Sequence, residues 1–239
     1  MGDRSLHLIG SYPAPSTAEA MREMLDLAGP HLRYLPDGEV GERRNWIVHI
    51  IQSFRTHPDL ELVKDGTFED YDSMPRFRVR RGHRLTGSSL DLGHVTAANQ
   101  ARPIFDDLRK SHDRPDVTFQ VGLPGDFDLA LFALGPAPAL RHRRAFTDAL
   151  VGEITDLRRT FGDDAVIQLE IPAEQVFVLS SPAPLRSAVA AIVAPGVTRL
   201  AERAPEGTSF GLHLCLGDLG HKSLARPEDA AAMVVLANA

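Results

Sequence analysis

The feature that most constrains the fold is a regular alternation of short apolar segments, rich in β-branched residues, with longer segments of helical periodicity. This alternation is typical of β/α units, which build a parallel sheet with helices packed against it. About five segments are predicted as strands, each followed by a predicted helix. The predicted strands cover residues 6–13, 32–39, 117–122, 165–171 and 209–215.

The predicted helices leave one stretch, residues 58–92, outside the β/α alternation. Its alternating "RFRVR" segment indicates an inserted hairpin or excursion. No internal repeat or low-complexity tract divides the chain, so we predict a single domain over residues 1–239. The predicted helices cover residues 16–29, 45–57, 96–110, 138–161 and 184–203, with a last helix that starts at residue 227.

Composition limits the classes of partner and compartment. The formal net charge of −6 argues against a nucleic acid, because binding to phosphates needs a clustered excess of Lys and Arg. Two basic runs, residues 76–84 and 141–144, have acidic neighbours and are predicted to be solvated faces. A single cysteine excludes an intrachain disulfide and fits a reducing compartment. With no targeting segment or membrane span in the pattern, the sequence predicts a cytoplasmic protein without a membrane partner.

Polar clusters follow the predicted strands: "GSYP", "PDGEVGERRN", "GLPGDFD", "EIPAEQ" and "HLCLGDLGH". The carboxyl ends of parallel strands converge on one crevice, so these clusters are predicted to face one another. Each carboxylate alone is explained by a helix cap or a salt bridge, but together they indicate a substrate site. The carboxylates are Asp37, Glu39, Asp126 and Glu170.

The last predicted strand carries His213 and Cys215, two residues apart and therefore on one face of the strand. Zinc accepts both side chains as ligands, but it needs about four ligands in all. From these two residues alone, a buried thiol beside a hydrogen-bonded histidine is the favoured interpretation.

Four of these segments resemble, in order, motifs of the carboxyl-terminal barrel of cobalamin-independent methionine synthase and its shorter relatives. "LIGSYP" is similar to "IGSFP", "DGEVGERRNW" to "HGE…ERND", "QLEIPA" to "QIDEPA", and "HLCLGD" to "HMCY". The resemblance implies a (β/α)8 TIM barrel in which zinc, held by His, Cys, Glu and a second Cys, activates the homocysteine thiol as a thiolate.

Carried over to this sequence, the resemblance implies metal ligands at His213 and Cys215. Ser11 and Glu39 match positions that hold the amino-acid part of homocysteine, and Glu170 matches an aspartate with the same task. The extra methylene of Glu170 is expected to move its carboxylate by about 1 Å and to change which thiol fits. The methyl donor stays open between a folate, a corrinoid protein and another small donor.

The chain departs from the family pattern after the fifth predicted unit. About five β/α units are predicted where a barrel has eight, so the barrel is expected to be truncated, completed by another chain, or completed by self-association. The family's glutamate and second cysteine ligands have no counterpart, and neither does its histidine acid. Asp218 and His221, in the loop after Cys215, are candidate substitute ligands, although a loop that caps the next helix explains them too.

The sequence therefore predicts a zinc-dependent methyl- or alkyltransferase that acts on a small, homocysteine-like thiol. A metal-free enzyme of the related uroporphyrinogen decarboxylase branch is one alternative. The other is a non-catalytic accessory subunit of a split barrel.

Overall fold

The computed structural model of the chain describes residues 4–227 and 229–239, and the side chains of all of these except Glu42 and His221. Strands and helices alternate along most of it. The strands are β1 (Tyr34–Pro36), β2 (Leu60–Lys64), β3 (Arg76–Val79), β4 (Thr118–Pro124), β5 (Ala165–Glu170) and β6 (Ser209–His213). The α-helices are α1 (Thr17–Ala28), α2 (Trp46–Ser53), α3 (His94–Ser111), α4 (Asp126–Leu134), α5 (Pro136–Phe161), α6 (Pro172–Ser180), α7 (Arg186–Arg203) and α8 (Ala231–Ala237).

The main sheet has four strands in the order β1-β4-β5-β6, and every neighbouring pair is parallel. Sheet order follows chain order without a reversal, which is the arrangement of an arc of a (β/α) barrel and not of a doubly wound sheet. The predicted α/β, partial TIM-barrel fold is therefore confirmed. The excursion predicted at 58–92 contains the separate antiparallel hairpin β2-β3.

The predicted first strand, residues 6–13, is not a strand. It contributes one isolated parallel bridge, between Leu6 and Leu32. Gly10 has φ of +146°, outside the strand region, and Pro13 has no N–H to donate to a neighbouring strand. The described part of the chain therefore has four strands in the parallel sheet, where about five were predicted.

Helix α1 begins and ends where its sequence indicates. The Ser16 hydroxyl accepts a hydrogen bond from the backbone N–H of Glu19 at 3.2 Å and donates one to the Glu19 carboxylate at 2.9 Å. The Ser16 side chain therefore caps the first turn, and the Glu19 carboxylate holds the capping hydroxyl in place. Gly29 ends the helix with a positive φ of 51°, a conformation that glycine adopts at no steric cost.

Two short helices, α4 and α6, follow β4 and β5 directly and have no counterpart in the sequence prediction. All nine residues of α4 are buried, so it has no polar face. A helix that is buried on all sides lacks the apolar periodicity that marks an amphipathic helix. This explains why the sequence did not predict α4.

The hairpin packs firmly against the helices. Phe77 of β3 lies edge-on to Phe54, which in turn contacts Phe146 of α5 edge-on. Arg76 donates a 2.5 Å hydrogen bond to the carbonyl of Leu131, near the end of α4. The prediction of a fully solvated basic run was therefore wrong at Arg76, which neutralises the negative end of a helix dipole instead.

The parallel register places the carboxyl ends of the strands side by side. Glu170, the last residue of β5, is paired with Pro124 of β4 on one side and with His213 of β6 on the other. Side chains that follow these strands therefore meet at one edge of the sheet. None of the described helices is long and apolar enough to cross a membrane.

Candidate functional site

A cavity of about 460 Å³ opens at the carboxyl ends of the strands. The five residues predicted to bind substrate or metal, Ser11, Glu39, Glu170, His213 and Cys215, all line it. The convergence predicted from parallel-sheet geometry is therefore present, while the individual role of each residue stays a prediction. Loops and helices complete the wall with Ile9, Arg44, Asn45, Trp46, Ile47, Val48, Tyr71, Met74, Asp128, Phe132, Pro172, Gly217, Asp218 and Leu219.

Ser11 and Glu39 form a hydrogen-bonded pair, in which the Ser11 hydroxyl donates to Oε2 of Glu39 at 2.5 Å. Glu39 is only 6% exposed and has a positive φ of 47°, which is unusual for a residue with a side chain. Its backbone N–H donates to the Asp37 carboxylate at 3.1 Å, and Arg43 pairs with the same carboxylate at 2.9 Å. Asp37 therefore holds the loop, while the Glu39 side chain points into the cavity.

Burial and, after it, the nearby charge of Glu170 raise the pKa of Glu39 to about 7, against the opposing hydrogen bond from Ser11. A Cβ built at Gly122 of β4 would lie 3.3 Å from both Glu39 Oε1 and Glu170 Oε1. The two carboxylates therefore approach the same point of the sheet. Two acids so close together, with one of them buried, favour a bound cation.

His213 lies beside Glu170, with 3.9 Å between Nδ1 of the ring and Oε1 of the carboxylate. This Nδ1 is buried and has no hydrogen-bond partner among the described residues. Buried ring nitrogens are normally paired, so this unpaired nitrogen at a cavity wall is available to a ligand atom.

Cys215 follows β6 and is half-buried in the same cavity. Burial, together with the charges of Glu170, Asp128 and Glu174, raises the pKa of its thiol to about 12, against a hydrogen bond from the Gly217 backbone. In the ligand-free protein the thiol is therefore protonated at neutral pH. A divalent cation bound here would reverse this preference, because it compensates the surrounding negative charge.

Beneath the cavity, amide side chains link the strands in a way that the sequence analysis missed. Gln120 of β4 donates to Oε1 of Gln168 of β5 at 3.1 Å, and His7 donates to the same oxygen at 2.8 Å. Gln168 in turn donates to Oε1 of Glu170 at 3.2 Å and to the Ile9 carbonyl at 2.5 Å. The sequence does contain a sign of this link. Gln168 stands two residues before Glu170, so both side chains are expected on the same face of β5.

The remaining predicted carboxylate, Asp126, has a structural partner. Arg143 donates to its Oδ1 at 2.7 Å, and Thr147 donates to its Oδ2 at 2.6 Å. Arg143 belongs to the second basic run and is buried, so the prediction of a solvated face was wrong there too. Asp126 therefore anchors α4 to α5, and Asp128, two residues later, is the carboxylate that reaches the cavity.

The residues present fit a zinc ion in part. An imidazole nitrogen without a partner and a thiol are both zinc donors, and they share one cavity wall. Within residues 4–227 and 229–239, no three His, Cys, Asp or Glu side chains are grouped to hold a metal. Of the two candidate substitute ligands, Asp218 lines the cavity, and the side chain of His221 lies outside the described residues.

Comparison with known proteins shows a likeness in structure. No family model matches the sequence, and no curated protein matches it. The chain is similar in structure to a B12-independent methionine synthase from Shewanella sp. W3-18-1, solved in complex with selenomethionine, with a TM-score of 0.47 and 18% sequence identity. The similar region covers 84% of this chain and 52% of that one, so the chain spans about half the length of the synthase.

Proposed function

We propose that the cavity binds a zinc ion and a small amino thiol, and that the protein takes part in methyl or alkyl transfer to the thiol sulfur. The observation that carries the proposal is the unpartnered Nδ1 of His213, buried in the wall that Cys215 shares and 3.9 Å from a Glu170 oxygen. Four motifs similar to those of methionine synthases support the same chemistry.

His213 and Cys215 would hold the zinc ion through a ring nitrogen and a thiolate. When bound, zinc lowers the pKa of a coordinated thiol, so that a nucleophilic sulfur is present at neutral pH. The charges of Glu170 and Asp128, which disfavour a free Cys215 thiolate, then favour the metal-bound form.

Ser11, Glu39 and Glu170 would bind the ammonium group of the thiol substrate. Glu39 and Glu170 approach the same point above Gly122, so one ammonium can be shared between them. Ser11 fixes the Glu39 carboxylate through its 2.5 Å hydrogen bond, and this reduces the conformational freedom lost on binding. Holding the amine in place positions the sulfur for attack, which is the main contribution of a rigid site to the rate.

The test is equilibrium zinc binding by the purified chain, measured by dialysis and elemental analysis. We expect about one zinc per chain, and an affinity lower by at least about 100-fold in His213→Ala and in Cys215→Ala. His49→Ala, which changes an exposed histidine of α2, is the matched control and should bind zinc like the wild type. Unchanged zinc binding in both cavity variants would rule out the metal site.

An accessory role in a two-chain barrel is a second candidate, and the edge of the sheet favours it. In the described part of the chain β6 has a paired neighbour on one side only, and its Leu212 is 50% exposed. An exposed apolar edge strand is a surface on which another strand can pair. Light scattering should then give a mass above that of one chain, and a stable monomer at high concentration would contradict this candidate.

A further inference from the structure

Asp128 is a buried carboxylate in the cavity wall to which the proposed thiol site assigns no ligand contact. It lies in the first turn of α4 and is 2% exposed. The backbone N–H of Ala173 donates to its carboxylate, and its Oδ1 has no partner among the described residues. A buried carboxylate with an unpaired oxygen is costly unless a cation or a donor compensates it.

No cation within the described residues compensates Asp128. Arg143, the buried arginine nearby, donates to Asp126 at 2.7 Å and to the Val193 carbonyl at 3.0 Å. The other charges beside Asp128 are those of Glu174 and Glu170, and together with burial they hold its pKa well above the ordinary value. A cation bound in the cavity beside Asp128 would supply the positive charge that no described side chain gives it, and would favour its ionised form.

The wall beside Asp128 is aromatic. Phe132 follows Asp128 by four residues on α4, so both lie on the same face of the helix, and both line the cavity. Tyr71 from the excursion stacks on Phe132, with 5.8 Å between ring centroids and 25° between ring planes. Aromatic faces next to a carboxylate attract weakly hydrated organic cations such as quaternary ammonium and sulfonium groups.

We infer that Asp128, Tyr71 and Phe132 form a second subsite, which takes a small onium cation as the alkyl donor for the thiol held by Ser11, Glu39 and Glu170. An amino thiol brings one ammonium group, and Glu39 with Glu170 engages it, so Asp128 is left for a second ligand. The transfer step rests on the proposed function, whereas the binding of an onium cation does not.

The transfer balances without a further reactant. The thiol proton leaves to solvent first. The thiolate sulfur then attacks the alkyl carbon of the onium donor, and the new carbon–sulfur bond forms as the bond to the onium centre breaks. That electron pair returns to the onium atom, which leaves as a neutral thioether or amine. Both charges are lost in the step, and a cavity that excludes water favours such charge neutralisation.

The test uses Trp46, which lines the cavity and is the only tryptophan of the chain, as a fluorescent reporter of occupancy. The zinc-loaded protein is titrated separately with trimethylsulfonium chloride and with L-homocysteine. We expect Asp128→Asn to weaken trimethylsulfonium binding by about tenfold or more and to leave homocysteine binding unchanged. Glu39→Gln should show the reverse pattern. Sodium chloride and neutral tert-butanol serve as controls for ionic strength and shape.

A second variant, Phe132→Leu, keeps the test decisive if Asp128→Asn folds poorly, and it should weaken only trimethylsulfonium. The inference is overturned if trimethylsulfonium does not bind the wild type saturably. It is also overturned if Asp128→Asn and Phe132→Leu weaken homocysteine as much as Glu39→Gln does, because a single site would then explain both carboxylates. Failure of homocysteine to bind the wild type contradicts the proposed function instead, and the trimethylsulfonium titration still decides the onium subsite.

Discussion

The hydroxyl of Ser11 donates a 2.5 Å hydrogen bond to Oε2 of Glu39, and this bond joins the segment before α1 to the loop after β1. A backbone hydrogen bond from Tyr12 to the Gly38 carbonyl, at 2.8 Å, fixes the same two segments beside each other. Neither segment is a strand at this point, so the pair depends on the backbone conformation of its neighbours. Gly10 is the neighbour on which it depends most.

A Cβ added at Gly10 would lie 2.7 Å from Oε1 of Glu39, and φ at this residue is +146°. We expect Gly10→Ala to lower the free energy of unfolding by about 1–3 kcal/mol, because backbone strain and a steric clash coincide. Gly152→Ala is the matched control, since a Cβ there meets nothing within 4 Å. Alanine within the exposed face of α5 should raise stability by up to about 1 kcal/mol. Urea unfolding measures the free energy of unfolding of both variants. Equal changes in Gly10→Ala and Gly152→Ala would contradict the predicted clash at Gly10.

The raised pKa of Glu39 predicts how stability changes with pH. The carboxyl has a pKa of about 7 in the folded protein against an ordinary 4.5, so the folded state binds more protons between these values. Stability should therefore fall as pH rises through this window, by an amount on the order of 3 kcal/mol. Glu39→Gln has no carboxyl that titrates, so this variant lacks the part of the pH dependence of stability that Glu39 contributes.

Urea unfolding of wild type and Glu39→Gln at several pH values across this window measures the difference. We expect the variant to gain stability relative to the wild type as the pH rises. Glu202→Gln, which changes an exposed glutamate of α7, should retain the slope of the wild type. A wild-type slope in Glu39→Gln would show that Glu39 is not the buried titrating group.

The Tyr71 hydroxyl holds the loop after β6 over the cavity, where it accepts a hydrogen bond from the backbone N–H of Leu219 at 3.0 Å. We expect Tyr71→Phe to cost about 1 kcal/mol of stability, because the part-buried backbone N–H of Leu219 loses its acceptor. Hydrogen exchange at Leu219 should speed up, while exchange in β4 and β5 stays unchanged. If exchange rises equally in those strands, the effect of Tyr71 is not local to the loop.

Much of the sheet was predictable from the sequence, and the reason is burial on both faces. Strands β4 and β5 were located to within a few residues, because buried parallel strands read as continuous apolar runs. The segment at residues 6–13 also reads as apolar, but Gly10 and Pro13 prevent regular pairing there. The sequence of α4 has no amphipathic periodicity that would predict a helix, because its residues are buried on every side.

The site was predictable where it depends on strand ends. Glu170 and His213 come together because parallel strands place their carboxyl ends side by side, and this follows from sequence order alone. The cluster "GLPGDFD" was predicted to face the site, but Asp126 was singled out in place of Asp128, because both lie in a helix whose direction only the tertiary structure determines. The pairing of Arg143 with Asp126 depends on how α5 packs on α4, and the basic run that contains Arg143 gives no sign of it.

The most direct test of the proposed zinc site is the absorption spectrum of the protein loaded with cobalt(II), which replaces zinc in tetrahedral sites. We expect a thiolate-to-cobalt charge-transfer band in the wild type, its loss in Cys215→Ala, and a stronger band when L-homocysteine adds a second sulfur ligand. A wild-type spectrum without this band, or a band that persists in Cys215→Ala, would contradict the assignment of Cys215 as a metal ligand.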